Sequence, residues 1–356
     1  MDANNLTERQ RTEIRARKRA VWSQKGAGDE YFHLAHRSEP VIRLKNLTEA
    51  GFVLRFVAGP KVLDAGAGTG RFTFPLRDRD YTALALDISR EMLRRGRLHA
   101  ANTGKEFPCV QGEIERLPFS DEVFDSVVSM TVVRHFPNWK PVLDEYLRVT
   151  REGGRVIFDM ASGEQQELGD SMGMPRPYIR QGEFSPLDFD TGVTLREMSD
   201  YAKERHCCVA AYQAHDFFNN NHLLQHVLGS DYERITDTVR EHLAHDDVLR
   251  FCEMVHRRFL PVVSPAVSSS VLIVLEKRPR GEVDPQQETS SDLQSADESE
   301  AILLDTLKRG LGRRYGSFMR EASRHMDSSE VREFVTFCRV SLLPRLPRIS
   351  YQLRRP

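Results

Sequence analysis

Cysteine is scarce: Cys109, Cys207, Cys208, Cys252 and Cys338 are the five in 356 residues, an odd number with no C-x-x-C pair. That argues against a disulfide framework and a zinc knuckle, and for a reducing, cytoplasmic setting. Charge of one sign is lacking too, with 51 Lys+Arg against 52 Asp+Glu, so whole-chain electrostatics gives no reason for a polyanionic partner. No window approaches the ~20 uninterrupted apolar residues of a membrane span. The opening through Met1, Asp2, Asn4 and Asn5, then a charged stretch to Arg19, lacks the apolar core of a secretory signal. No internal repeat is evident. What remains is a chain with 40% hydrophobic residues, able to bury a full core as one large domain with additions, or as two domains at ~100–200 residues each.

Residues 1–60 read as a polar helical segment, with apolar positions at Leu44, Leu47, Phe52, Leu54 and Phe56, expected to form a lid. From Lys61 to Asp159, short apolar runs alternate with amphipathic stretches: Lys61–Asp64, Ala83–Asp87, Cys109–Gln111, Ser126–Met130 and Arg155–Asp159. Runs of that length, with helical patterns between them, predict successive βα units and a parallel sheet. Residues 161–193, rich in Gly, Pro and acids, read as a long loop. A helix over Thr194–Glu204, a sixth strand over Cys207–Tyr212, a helical insertion at about 214–265 and a last strand over Ser268–Glu276 complete the pattern. The expected fold is α/β: a doubly wound, mostly parallel seven-stranded sheet with helical insertions and a C-terminal helical appendage. Its compact part ends near 280. Residues 281–300 hold seven acids and no base, as a solvated linker does, and 301–356 reverse this with twelve basic against five acidic residues in a helical tail.

The most informative segment is Val62-Leu63-Asp64-Ala65-Gly66-Ala67-Gly68-Thr69-Gly70-Arg71. Three glycines at alternate positions join a buried strand to a helix, as expected where the backbone adopts angles denied to other residues and a ligand lies on the main chain. The helix that follows is expected to offer its N-terminus to an anion. A dinucleotide fingerprint G-x-G-x-x-G from Gly66 needs its third glycine at position 71, where Arg71 stands. A nicotinamide oxidoreductase is therefore the second reading of the turn. Asp87 ends the second strand, where a carboxylate can accept from both hydroxyls of a ribose. Gln111-Gly112-Glu113-Ile114 supplies an acid after the third strand, able to meet an exocyclic amine.

This ordered set of an acid before the turn, one closing strand two and one after strand three resembles the class I S-adenosylmethionine-dependent methyltransferases, particularly the small-molecule, type 11-like group. The resemblance spans about Lys61 to Asp159 and includes Leu117-Pro118-Phe119-Ser120-Asp121-Glu122-Val123-Phe124-Asp125 and Arg151-Glu152-Gly153-Gly154-Arg155. It implies S-adenosylmethionine as cofactor and S-adenosylhomocysteine as product. Asp64 with the turn Gly66, Ala67, Gly68 and Gly70 would hold the methionine part. Asp87 would take the ribose, Ile88 would pack on adenine, Glu113 and Ile114 would meet the adenine edge, and Met130 would lie beside the sulfonium. The family often has Asp where Glu113 stands.

Methyl transfer from a sulfonium is an in-line displacement, so the protein mainly aligns its reactants, with a base useful for a hydroxyl or acidic carbon. His135, after strand four, is the candidate base, alternatively a structural histidine. Asp159, ending strand five, is a second candidate, or caps the following loop. Tyr31, Phe32 and Tyr178 could wall the pocket or serve as packing. No metal site is expected: His222/His226, His33/His36 and His242/His245 lack further ligands, and Pro108-Cys109 fits a strand cysteine. No Asn/Asp-Pro-Pro-Tyr follows strand four, which removes support for base-amine methylation of DNA or RNA. The expected partner is a small-molecule acceptor. Protein or RNA methylation, with 301–356 recruiting RNA, a membrane surface or a protein, and a non-catalytic cofactor-binding module are the other readings. Oligomeric state is not encoded.

Overall fold

In the computed structural model the described residues are 6–35, 39–175, 179–180, 183–184, 189–216, 221–229, 231–245, 248–249, 252–253 and 264–279. The chain divides into two compact units, Met1–Glu282 and Val283–Pro356. The second unit, with the expected acidic linker and basic tail, lies outside the described residues.

The described residues form ten strands: β1 (Lys61–Ala65), β2 (Thr82–Asp87), β3 (Cys109–Gln111), β4 (Phe124–Ser129), β5 (Thr150–Ser162), β6 (Ile179–Arg180), β7 (Glu183–Phe184), β8 (Gly192–Val193), β9 (Cys207–His215) and β10 (Ser270–Lys277). Seven build one sheet in the order β3-β2-β1-β4-β5-β10-β9, with β8 added beside the end of β5. Strands β1 to β5 pair in parallel, and β10 runs antiparallel between β5 and β9. The order reverses between β1 and β4, and a ligand crevice opens beyond the strand C-termini at such a switch point. The glycine turn, Asp87 and Met130 all stand on that rim.

Among the described residues ten α-helices flank the strands: α1 (Glu8–Ser23), α2 (Ala27–Ala35), α3 (Pro40–Phe56), α4 (Thr73–Arg77), α5 (Arg90–Thr103), α6 (Lys140–Val149), α7 (Gly163–Ser171), α8 (Leu195–Glu204), α9 (His222–Leu228) and α10 (Asp231–Leu243). Local chemistry sets their ends. Thr7 with Gln10 and Thr194 with Glu197 make capping boxes at α1 and α8. The Ser89 hydroxyl caps α5, which stops at Gly104 in a left-handed conformation.

Four expectations are corrected. Residues 161–193 are not a continuous loop: β5 runs on to Ser162, whose hydroxyl caps α7, and β8 returns to the sheet. Residues 40–56 are not lid but core: Phe52 and Val53 of α3 pack with Val62, Phe72, Leu76 and Ile157 under the sheet, whereas Leu47 is exposed. The fifth strand does not start at Arg155: β5 begins at Thr150 and takes in Gly153, and its register with β4 slips between Phe124 and Ser126. Finally, the helix after the glycine turn, α4, has only five residues, too few for a helix dipole that could seat an anion.

Candidate active site

The glycine turn is organised by its own hydrogen bonds. The N–H groups of Gly66 and Ala67 donate to the Leu86 carbonyl at 2.8 and 2.9 Å, and that of Gly70 donates to Ala67 at 2.9 Å. The Gly68 N–H donates to Asp87 Oδ2 at 2.8 Å. Four amide donors of the turn that could cradle a phosphate are thus already engaged. Gly70 does not face a ligand: at φ +92° a Cβ there would lie 2.6 Å from Phe107 and 2.8 Å from Phe74. Gly70→Ala is expected to lower unfolding free energy by ~1–3 kcal/mol through overpacking and backbone strain, read in a urea melt; an unchanged midpoint would show that the rings yield freely.

Two carboxylates face this donor-poor turn. Asp87 accepts from Gly68 with one oxygen and from the Ser89 N–H at 2.7 Å with the other. Burial raises its pKa, against those two bonds. Asp64 is 2% exposed, accepts from the Thr73 hydroxyl at 2.6 Å, and is pushed up to about 6 by burial. A carboxyl whose folded pKa is raised binds extra protons when folded, so Asp64 makes stability fall as pH rises from about 4 to about 6. Ile88 is half-buried beyond Asp87, and Ile114 and Met130 are buried on the same rim. Glu113 is half exposed and pairs with Arg19 of α1 at 3.0 Å.

Helices α1 and α2 cover the crevice. Arg15 pairs with Glu115, the Trp22 carbonyl accepts from the Ser89 hydroxyl at 2.7 Å, and the Tyr31 ring lies 3.2 Å from the Cβ position of Gly68. Tyr31 thus walls the site. Phe32 instead stacks under Arg95 and against His99, and Tyr178 lies outside the described residues.

His135 stands in a short 3-10 turn after β4. Its Nδ1 is 2.7 Å from Lys18 Nζ and 2.9 Å from Asp190 Oδ1. Burial and the Lys18 ammonium hold its pKa below that of a free imidazole, although Asp190 opposes them. Lys18 can donate to Nδ1 and the Asp190 carboxylate can accept from it, so these two contacts fit either neutral tautomer of the ring. Asp159 is fully buried. Its carboxylate accepts from the Thr131 N–H and from Arg134 at 3.3 Å, which ties down a left-handed Thr131 at φ +62°. Those contacts are those of a loop cap.

The second buried cluster had no counterpart among the expected residues. Glu49 of α3, completely buried, binds Arg71, Lys45 at 2.6 Å and His215 Nε2 at 3.0 Å. Burial alone would raise its pKa, but Arg71, Lys45 and the bond from His215 together hold it well below the carboxylate range. The sequence did hold one signal: Glu49 sits on the helical stripe of Leu44, Phe52 and Val53, where a charge needs a partner. Among the described residues, no group of three or more His, Cys, Asp and Glu is arranged to hold a metal. No described helix is long and apolar enough to cross a membrane.

A Rossmann-like sheet with a glycine turn and two buried carboxylates at its switch point defines a nucleotide-type binding domain, and comparison with known proteins specifies it. A family described as "Methyltransferase domain" matches residues 63–158. Residues 63–158 thus match a methyltransferase domain, in keeping with the class I S-adenosylmethionine-dependent methyltransferases that the glycine turn resembles. A demethylmenaquinone methyltransferase of Mycobacterium tuberculosis is 40% identical over 104 residues, 29% of this chain and 42% of that protein. An uncharacterized protein of the same species is 34% identical over 98 residues, 28% of this chain and 36% of that protein. The chain thus spans less than half the length of these curated relatives. Among solved structures, a magnesium protoporphyrin IX methyltransferase from Synechocystis PCC 6803 with bound SAH is similar at 11% identity and a TM-score of 0.48, over 74% of this chain and 99% of that one.

Proposed function

We propose that the chain is an S-adenosylmethionine-dependent methyltransferase acting on a small-molecule acceptor. The observation that carries this reading is the donor-poor, acid-lined turn: the N–H groups of Gly66, Ala67, Gly68 and Gly70 are engaged within the protein, and Asp64 and Asp87 remain. Such a seat favours a cation over a pyrophosphate, which argues for an ammonium- and sulfonium-bearing ligand and against a nicotinamide dinucleotide.

The residues present fit that cofactor. Asp64 and the turn would take the methionine end, Asp87 the ribose through its remaining lone pairs, Ile88 and Ile114 the adenine faces, Glu113 its edge, and Met130 the region of the sulfur. When bound, the cofactor supplies a methyl on an activated leaving group. Helices α1 and α2 would exclude water, while Arg134, held by Asp190 at 2.8 Å, and Asp159 fix the Thr131 turn that carries His135. His135 would meet the acceptor through Nε2, its Nδ1 being taken up by Lys18 and Asp190. The demethylmenaquinone chemistry named for a relative makes dihydroxynaphthalenes the first acceptors to try, in a radiolabelled methyl-transfer assay; no transfer to any small molecule alongside transfer to protein or RNA would replace this reading.

Cofactor binding should be proton-linked. A cation beside Asp64 would drive its carboxyl to the charged form, so about half a proton should be released on binding S-adenosylmethionine at pH 6 and almost none at pH 8. Titration calorimetry in buffers of different ionisation heat measures this, and identical heats at pH 6 would separate Asp64 from the ligand. Recruitment by 301–356 falls outside the described residues.

A further inference from the structure

Where β9 and β10 meet the rim, two buried polar atoms lack a hydrogen-bond partner among the described residues: His215 Nδ1 and Ser270 Oγ. His215 ends β9, Ser270 begins β10, and the two are directly paired across the ladder. Paired residues project to the same face of a sheet. The rung continues to Ala161 of β5, two residues beyond Asp159. Both side chains are almost wholly buried, His215 at 1% and Ser270 at 0% exposure. Buried polar atoms are nearly always satisfied, so two orphans side by side mark a place where a ligand's polar group belongs.

The surroundings fix what each orphan atom offers. His215 Nε2 lies 3.0 Å from Glu49 Oε1, closer than the 3.3 Å to Lys45 Nζ. Glu49 is anionic and accepts, so Nε2 carries the proton and Nδ1 presents a lone pair. The charged groups around the ring are Glu49 and Lys45 from α3, Asp216 from the end of β9, 3.6 Å from Lys45, and Arg71 from the glycine turn. Ser270 Oγ can donate or accept. The cluster is joined to the methyl-donor side: Arg71 follows the glycine turn directly, Asp159 acts electrostatically on Lys45 and Arg71, and Asp216 acts on Arg134.

We propose that His215 and Ser270 bind the hydroxyl group of the methyl acceptor, with His215 Nδ1 receiving its hydrogen and Ser270 Oγ donating to its oxygen. This rests on the methyltransferase reading and narrows its acceptors to hydroxyl compounds such as phenols and enols. His215 is then the base: the hydroxyl proton passes to Nδ1, the O–H electron pair stays on the acceptor oxygen, and the imidazolium is stabilised by Glu49 before its proton leaves to water.

The test uses the full chain labelled with nitrogen-15 in histidine, with and without S-adenosylhomocysteine, titrated with phenol and with its methyl ether anisole. The expected result is an unprotonated His215 Nδ1 whose resonance moves and saturates with phenol and not with anisole. Ser270→Ala, a small change that leaves the Glu49 cluster intact, should weaken phenol binding about fivefold. A protonated Nδ1, equal responses to phenol and anisole, or unchanged phenol affinity in Ser270→Ala overturns the proposal. The two readings fail separately. If calorimetry shows no S-adenosylhomocysteine binding while phenol still moves His215, the cofactor reading falls; if the nucleoside binds and phenol is silent, the acceptor pair falls.

Discussion

Replacing Glu49 with glutamine is expected to lower the free energy of unfolding by about 3–5 kcal/mol, among the largest losses any single substitution in this chain should produce. The side chain is completely buried and holds Arg71 and Lys45; a neutral amide leaves both cations in a low-dielectric interior with half their compensation. Removing one member of a buried ionic cluster costs more than the cluster contributes, because the penalty is the desolvation of what stays behind. The double variant Glu49→Gln/Arg71→Met should therefore recover part of the loss. Urea denaturation at pH 7 reads both. The depressed Glu49 pKa adds a sign: its stabilisation is complete above the unfolded carboxyl value, near 4.5, and is lost as pH falls below it. Loss of less than 1 kcal/mol in the single variant would mean that water reaches the cluster.

Asp87→Ala should act on binding and folding together. Its two oxygens hold the N–H groups of Gly68 and Ser89, and Ser89 both caps α5 and reaches the Trp22 carbonyl. Two orphaned amide donors cost ~2–4 kcal/mol of stability. Lost ribose bonds should weaken S-adenosylmethionine by roughly 10- to 100-fold, measured by calorimetry below the melting range. Wild-type affinity in a folded Asp87→Ala protein would remove the ribose from Asp87. Asp87→Asn can accept only through one oxygen, so it should fall between the two.

What the sequence conveyed and what it hid divide along contact range. The five parallel strands were legible because each is a short apolar run ended by turn chemistry, and Asp64, Asp87 and the glycines were legible because their spacing is local. Two things were misread even there. Gly70 is required by the approach of two phenylalanine rings, and a rule about open backbone does not distinguish a ring of the same protein from a ligand. Residues 40–56 were read as lid because a helix that precedes the first strand carries no mark of the layer it will join. The long-range polar clusters were largely invisible: Lys18 meets Asp190 across 172 residues and His215 meets Glu49 across 166. No periodicity encodes such pairs. Only the placing of Glu49 on an apolar stripe hinted that a partner existed.

The engaged amides of the glycine turn have a consequence inside a cell. ATP and NAD share the adenosine half of the proposed cofactor and are abundant anions, so a pocket that graded ligands by adenosine alone would be occupied by them. A turn whose four amides at Gly66, Ala67, Gly68 and Gly70 are already engaged, facing two acids, disfavours a triphosphate tail before any contact with the base matters. Selectivity of this kind resides in the main chain, and side-chain drift around the adenine would leave it intact.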